Sequence, residues 1–171
     1  MKPIANFTLA KHTGEYEHWP LVTELIRSGV PTGKYVPGYV LEAQYEHNGY
    51  FLLATSWDCL FEEAQTFLLL SPGLDVIQKH SIGAAYVSIW LEGHDPIAEN
   101  SVMFHCDGDL DVEVTVDLRS EPRMITRQFD RVTGKRWPPL IKRLRVPDIL
   151  KFLAALGLMW LSFEGVIWML R

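Results

Sequence analysis

SVMFHCDGDLDVEVTVDL, residues 101–118, decides the fold class. Leu110, Val112, Val114, Val116 and Leu118 alternate in it with Asp111, Glu113, Thr115 and Asp117. A two-residue period puts the apolar set on one face of a β-strand and the acids on the other. Val102, Met103 and Phe104 lie before it, with Asp107-Gly108 between the two runs. Asp-Gly suits a type I′ turn, because Gly takes positive φ freely and Asp tolerates it. The stretch predicts a hairpin with a buried back and an acidic, wet front.

Working outward towards the N-terminus, the same signals recur. Residues 39–47 alternate, with Leu41, Ala43 and Tyr45 on one side and Glu42, Gln44 and Glu46 on the other; Asn48-Gly49 is a strong hairpin signal, and 50–56 return. Residues 60–70 carry both periods, but Thr66 to Leu70 running into Ser71-Pro72-Gly73 favours a strand. Residues 74–80 and 85–91 add two more, and GHDPIAEN (93–100) reads as a polar loop. About seven strands with short links predict an antiparallel meander, sandwich or barrel.

Helices are expected at the two ends. Pro20 followed by Leu21, Val22, Leu25 and Ile26 predicts a short helix over 20–28 that Gly29 stops, and 30–38, with two Pro and two Gly, reads as a connection. Arg119, Arg123, Arg127, Arg131 and Lys135 recur every four residues, which predicts a basic amphipathic helix over 121–132; the alternative is a strand pair turning at Thr133-Gly134. Residues 135–147 read as a basic connector around Pro138-Pro139. The fold class expected is therefore mainly β (α+β), with one β-rich domain over 1–146 and an apolar segment, 147–171, packed on it. That segment parses as a helix from Val146-Pro147-Asp148 and two short strands. Residues 152–170 are also nearly long enough to span a membrane behind a basic flank, although Glu164 opposes this.

Composition narrows the functional classes. The chain has 171 residues and a net charge of −5, with 48% hydrophobic and 12% aromatic residues. That is enough for a core without metals or disulfides. Residues 1–118 hold 5 Lys/Arg against 17 Asp/Glu, whereas 119–151 hold 10 against 3. Cys59 and Cys106 make neither a disulfide framework nor a zinc motif, and the first 19 residues contain no apolar signal region. A cytoplasmic location is expected, and the sequon at Asn6-Phe7-Thr8 is expected to be idle.

Asp107, Asp109, Asp111 and Glu113 resemble a calcium loop only superficially, because Val112 and Leu118 stand where it needs Gly and Glu. Thr133-Gly134-Lys135 is a fragment of a phosphate loop, and dinucleotide, zinc-hydrolase and nucleophile-elbow motifs are absent. No cofactor and no metal site are expected. His80, His94, His105 and Cys106 are the residues a small enzyme would use if they converged, but His105 and Cys106 are adjacent and face opposite sides of a strand. The overall negative charge argues against nucleic acid as the target of the 119–145 segment. The expected function is a non-enzymatic binding protein, by analogy like an immunity or inhibitor protein. Its acidic sheet surface, Asp109, Asp111, Glu113 and Asp117, would meet a basic protein partner with Trp57 and Trp90 as apolar anchors. The small enzyme and a membrane-associated accessory protein anchored through 152–170 are the alternatives, and a second copy of the chain is a further candidate partner.

Overall fold

The computed structural model describes residues 1–58, 63–83 and 88–136. They form twelve strands: β1 (Lys2–Pro3), β2 (Phe7–Leu9), β3 (Thr23–Arg27), β4 (Val30–Val36), β5 (Val40–His47), β6 (Tyr50–Ser56), β7 (Gln65–Leu70), β8 (Val76–Ile82), β9 (Leu91–Ala98), β10 (Ser101–Cys106), β11 (Leu110–Asp117) and β12 (Arg123–Asp130). All pairings are antiparallel, and none of the three sheets closes into a barrel: β2-β3-β4, β1-β5-β6-β7-β8 and β12-β11-β10-β9.

The five-stranded sheet lies between the other two, and its composition shows why. Apart from Tyr50, every residue of β6 and β7 is buried, and apart from Gln65 both strands are continuous apolar or small runs of the kind covered on both faces. Phe51, Leu53, Leu68 and Leu70 face the three-stranded sheet, where they pack with Phe7, Leu25 and Val36. On the other face Phe67 meets Phe104 of the four-stranded sheet, ring centroids 4.7 Å apart. Val102, Val112, Val114 and Val116 are fully buried behind Phe104. This is the buried back expected of the 101–118 hairpin. In the turn itself positive φ falls on Gly108 and Asp109, one residue later than an Asp107-Gly108 pair would place it.

The helices expected near the start and over 121–132 are strands; among the described residues the only helical element is a single 3-10 turn, Tyr16–His18. Residues 20–28 hold β3. Thr23 and Leu25 are fully buried while Glu24 and Ile26 are only partly so, a period of two, and Leu21, 74% exposed, precedes the strand. Ser28 and Gly29, φ 51° and 81°, make a two-residue hairpin turn between Arg27 and Val30, so Gly29 is a turn residue and not a helix stop. The expected connection 30–38 contains β4. Its Pro31 is tolerated because β4 is an edge strand, and its Gly33, φ 68°, falls where the register with β3 shifts.

The expected loop 93–100 is mostly β9, also an edge strand, which accommodates Pro96. Of the strand expected over 85–91, residues 85–87 lie outside the described residues, 88–90 are irregular, and Leu91 opens β9. Residues 121–132 hold β12. A spacing of four is even, so it places Arg123 and Arg127 on one strand face just as it would align them along a helix. The chain turns after Asp130, and Arg136 bridges back to Phe129, close to the alternative turn at Thr133-Gly134.

The segments 59–62, 84–87 and 137–171 lie outside the described residues, and with them Cys59, most of the basic connector and the apolar C-terminal segment. Among the described residues no helix is long and apolar enough to cross a membrane.

Candidate functional site

The acidic face of the 101–118 hairpin is on the outside of the four-stranded sheet, and the chain's own arginines cover much of it. Antiparallel register sets Arg127 opposite Glu113 and Arg123 opposite Asp117. Arg127 pairs with Glu113 at 3.2 Å, and Arg119 and Arg123 both hold Asp117, each at 2.9 Å. Arg131 binds Asp111 at 2.8 Å and Glu92 at 2.9 Å. Hydrogen bonds from Arg119, then Arg123, hold the Asp117 carboxyl well below the usual carboxylate range. Burial works to raise Asp111, but bonds from His105 and Arg131 outweigh it and lower it.

The histidines and Cys106 do not share one pocket. His105 lies on the outer face, its Nδ1 2.8 Å from Asp111 and its Nε2 3.4 Å from Asp95. Cys106 is on the inner face and fully buried; burial, helped by Asp107, pushes its thiol up to about 12, which suppresses the nucleophilic thiolate. His94 Nδ1 is 2.6 Å from the Tyr45 hydroxyl. His80 is the cross-strand neighbour of Phe67; its Nε2 is buried without a partner, and burial lowers its pKa. Among the described residues no three His, Cys, Asp or Glu side chains are grouped to hold a metal ion.

A different cluster gathers where β6 ends and β7 and β9 begin. Tyr39 is its centre, with ring centroids 5.2 Å from His12, 5.3 Å from Trp19, 5.6 Å from Tyr16 and 5.2 Å from Trp57. Gly38 makes this possible. Its φ is 100°, and a Cβ there would sit 2.9 Å from Ser56 O and Thr55. The close approach lets the Thr23 hydroxyl donate to Gly38 O at 2.7 Å while lying 2.8 Å from His12 Nε2, which fixes the imidazole. The Tyr16 hydroxyl donates to Trp57 O at 3.1 Å.

Backbone bonds carry this rim on to the hairpin turn. Trp57 N donates to the buried Glu63 carboxylate at 2.6 Å, and Ile89 N donates to Glu63 O at 2.9 Å. Trp90 N donates to Asp107 Oδ1 at 2.9 Å, and Asp107 N returns to Trp90 O at 3.0 Å. Of the residues expected to form the surface, Trp57, Trp90 and Asp109 thus come to one rim. Asp111 and Glu113 lie progressively further along β11. Asp117 stands at its far end, about 27 Å from Asp109 at the usual strand rise. Among the described residues Asp58, Asp107 and Asp109 form no ion pair.

His12, Tyr16, Trp19 and Tyr39 were not expected here. The one available signal was the density of rings in HTGEYEHW (12–19), a stretch with no strand or helix period to place them in a core. No family model matches the chain, and neither the curated proteins nor the solved structures contain a significant match to it.

Proposed function

We propose that the chain is a non-enzymatic binding protein that takes a basic protein partner on the rim formed by Tyr16, Trp19, Tyr39, Trp57 and Trp90 with Asp58, Asp107 and Asp109. One observation supports this above the others. The acids of the β11 face are answered by arginines of the same chain, while the rim sets acids without ion pairs beside partly exposed aromatic rings. Aromatic side chains are favoured interface anchors, and unpaired acids steer a basic partner and select against an acidic one. The face expected from sequence, Asp111, Glu113 and Asp117, becomes in this account an internally neutralised surface beside the site. An inhibitor of a basic enzyme would act in this way, an analogy of chemistry only.

The test is capture of a partner by the tagged full chain at salt from about 0.05 M to about 0.5 M. A basic protein is expected whose retention falls steeply with salt. Trp57→Ala combined with Asp109→Asn should abolish capture, and Glu113→Gln should leave it intact. Salt-independent capture, or loss with Glu113→Gln and not with the rim variant, would overturn the proposal.

A further inference from the structure

The rim opens into a groove between two sheet edges. On either side of β2, Asn6 O accepts from Ser28 N at 2.7 Å and Ala10 N donates to Glu24 O at 3.0 Å. Even-numbered residues therefore bond β3, and the backbone groups of Phe7 and Leu9 turn outward. Both groups of Phe7 are taken by one side chain: Phe7 N donates to Gln44 Oε1 at 2.8 Å, and Gln44 Nε2 donates to Phe7 O at 3.0 Å. The carboxamide occupies the rung that a paired strand would fill.

Opposite, the outer side of β5 is paired by β1 only at Tyr45 and Glu46, and Ile4 N reaches Gln44 O at 3.1 Å. From Val40 to Ala43 that side has no strand among the described residues, so the track of β1 continues empty. A register shift between Leu41 and Ala43 leaves a residue there without a cross-strand partner. The space between the edges has a volume of about 660 Å³; Leu9, Val40, Leu41 and Gln44 line it, with Lys11, His12, Trp19 and Asp58 also on its wall.

We propose that this groove takes an extended segment of the basic partner, added as a strand on the part of the β1 track that no described residue occupies, its backbone meeting Leu9 and its basic side chain meeting Asp58. The inference rests on the binding role given to the rim. Five residues from Val40 to Gln44 span about 13 Å, room for a segment of four or five residues. Strand addition draws affinity from main-chain hydrogen bonds and specificity from alternate side chains. Apolar Leu9 and Leu41 suit the inward alternates. Asp58, which has no ion pair among the described residues, suits a lysine or arginine beyond the last rung.

The probe is the blocked pentapeptide Thr-Val-Thr-Val-Lys-amide, titrated to about 5 mM into the isotope-labelled full chain and followed by amide chemical shifts, with a backbone N-methylated peptide of the same sequence as control. Saturable shifts confined to Leu9, Lys11, residues 40–44 and Asp58 are expected. They should weaken at least about tenfold with the N-methylated peptide and be lost in Leu41→Arg. Should Leu41→Arg fail to fold, Leu9→Lys makes the same test. No shift, shifts elsewhere, equal binding of the control, or binding that survives the blocking substitution would each overturn strand addition. If salt-dependent capture by the rim persists in those cases, the binding role stands without the groove. If capture also fails, the rim falls with it.

Discussion

The Gln78 carboxamide closes on Met124 as a neighbouring strand would. Met124 N donates to Gln78 Oε1 at 2.7 Å, and Gln78 Nε2 donates to Met124 O at 2.9 Å. Gln44 does the same to Phe7 on the other side of the molecule. The middle sheet thus reaches one edge strand of each flanking sheet with a single side chain and satisfies backbone groups that an edge leaves unpaired. Gln78→Leu should destabilise the protein by about 1–3 kcal/mol, since two hydrogen bonds are lost and a partly buried peptide group is left unpaired. Urea denaturation checks it; an unchanged midpoint would mean that the bridge contributes nothing.

The ring pair joining the middle and four-stranded sheets should matter more. Phe104 is fully buried against Phe67, so Phe104→Ala removes transfer energy and leaves a cavity. The expected cost is about 3–5 kcal/mol, read from the same denaturation curves. A loss below about 1 kcal/mol would contradict a shared core between those sheets.

The arginine ladder should be nearly silent in stability. Arg127 is 44% exposed at its pair with Glu113. Exposed pairs are worth about 0.2–1 kcal/mol, so Arg127→Ala should fall within that range. A larger loss would make the ladder a structural device and not chiefly a screen for the acids.

Acid should lower the protein's stability in two pH windows. The Asp111 and Asp117 pKa values are lowered in the fold, so between the folded value and about 4 the unfolded chain binds more protons. Their stabilisation is complete above about pH 4 and is lost as pH falls through the folded values. His80 is also lowered, by burial. The unfolded chain therefore takes up its proton first as pH falls below about 6.5, and stability declines from there. Melting temperature against pH should show both declines. Asp117→Asn should flatten only the lower and His80→Gln only the upper, and a stability independent of pH from 7 to about 3 would contradict both shifts.

Much of the β architecture was legible because alternation is a local signal. The 101–118 hairpin, the strands on either side of Asn48-Gly49 and the run ending at Leu70 all follow from period and turn chemistry. Two of the departures share one physical cause. Edge strands are half exposed, tolerate Pro and Gly, and lose the alternation that marks a strand; β4 and β9 read as connections in the sequence on that account. The arginine spacing of four fits helix and strand alike, and only pairing with Asp117 and Glu113 across the sheet decides it. Trp57 and Trp90 are legible as anchors, but their assembly with Trp19 around Tyr39 is not, because those rings meet through tertiary packing of which sequence separation carries no trace.

The most direct test of the rim is amide hydrogen exchange of the full chain, alone and with the basic partner recovered at low salt. The account predicts added protection at residues 12–19, 39–41, 57–58 and 107–109, with exchange along Glu113 and Arg127 unchanged. Protection centred on Glu113 and Arg127, with the rim unaltered, would contradict it.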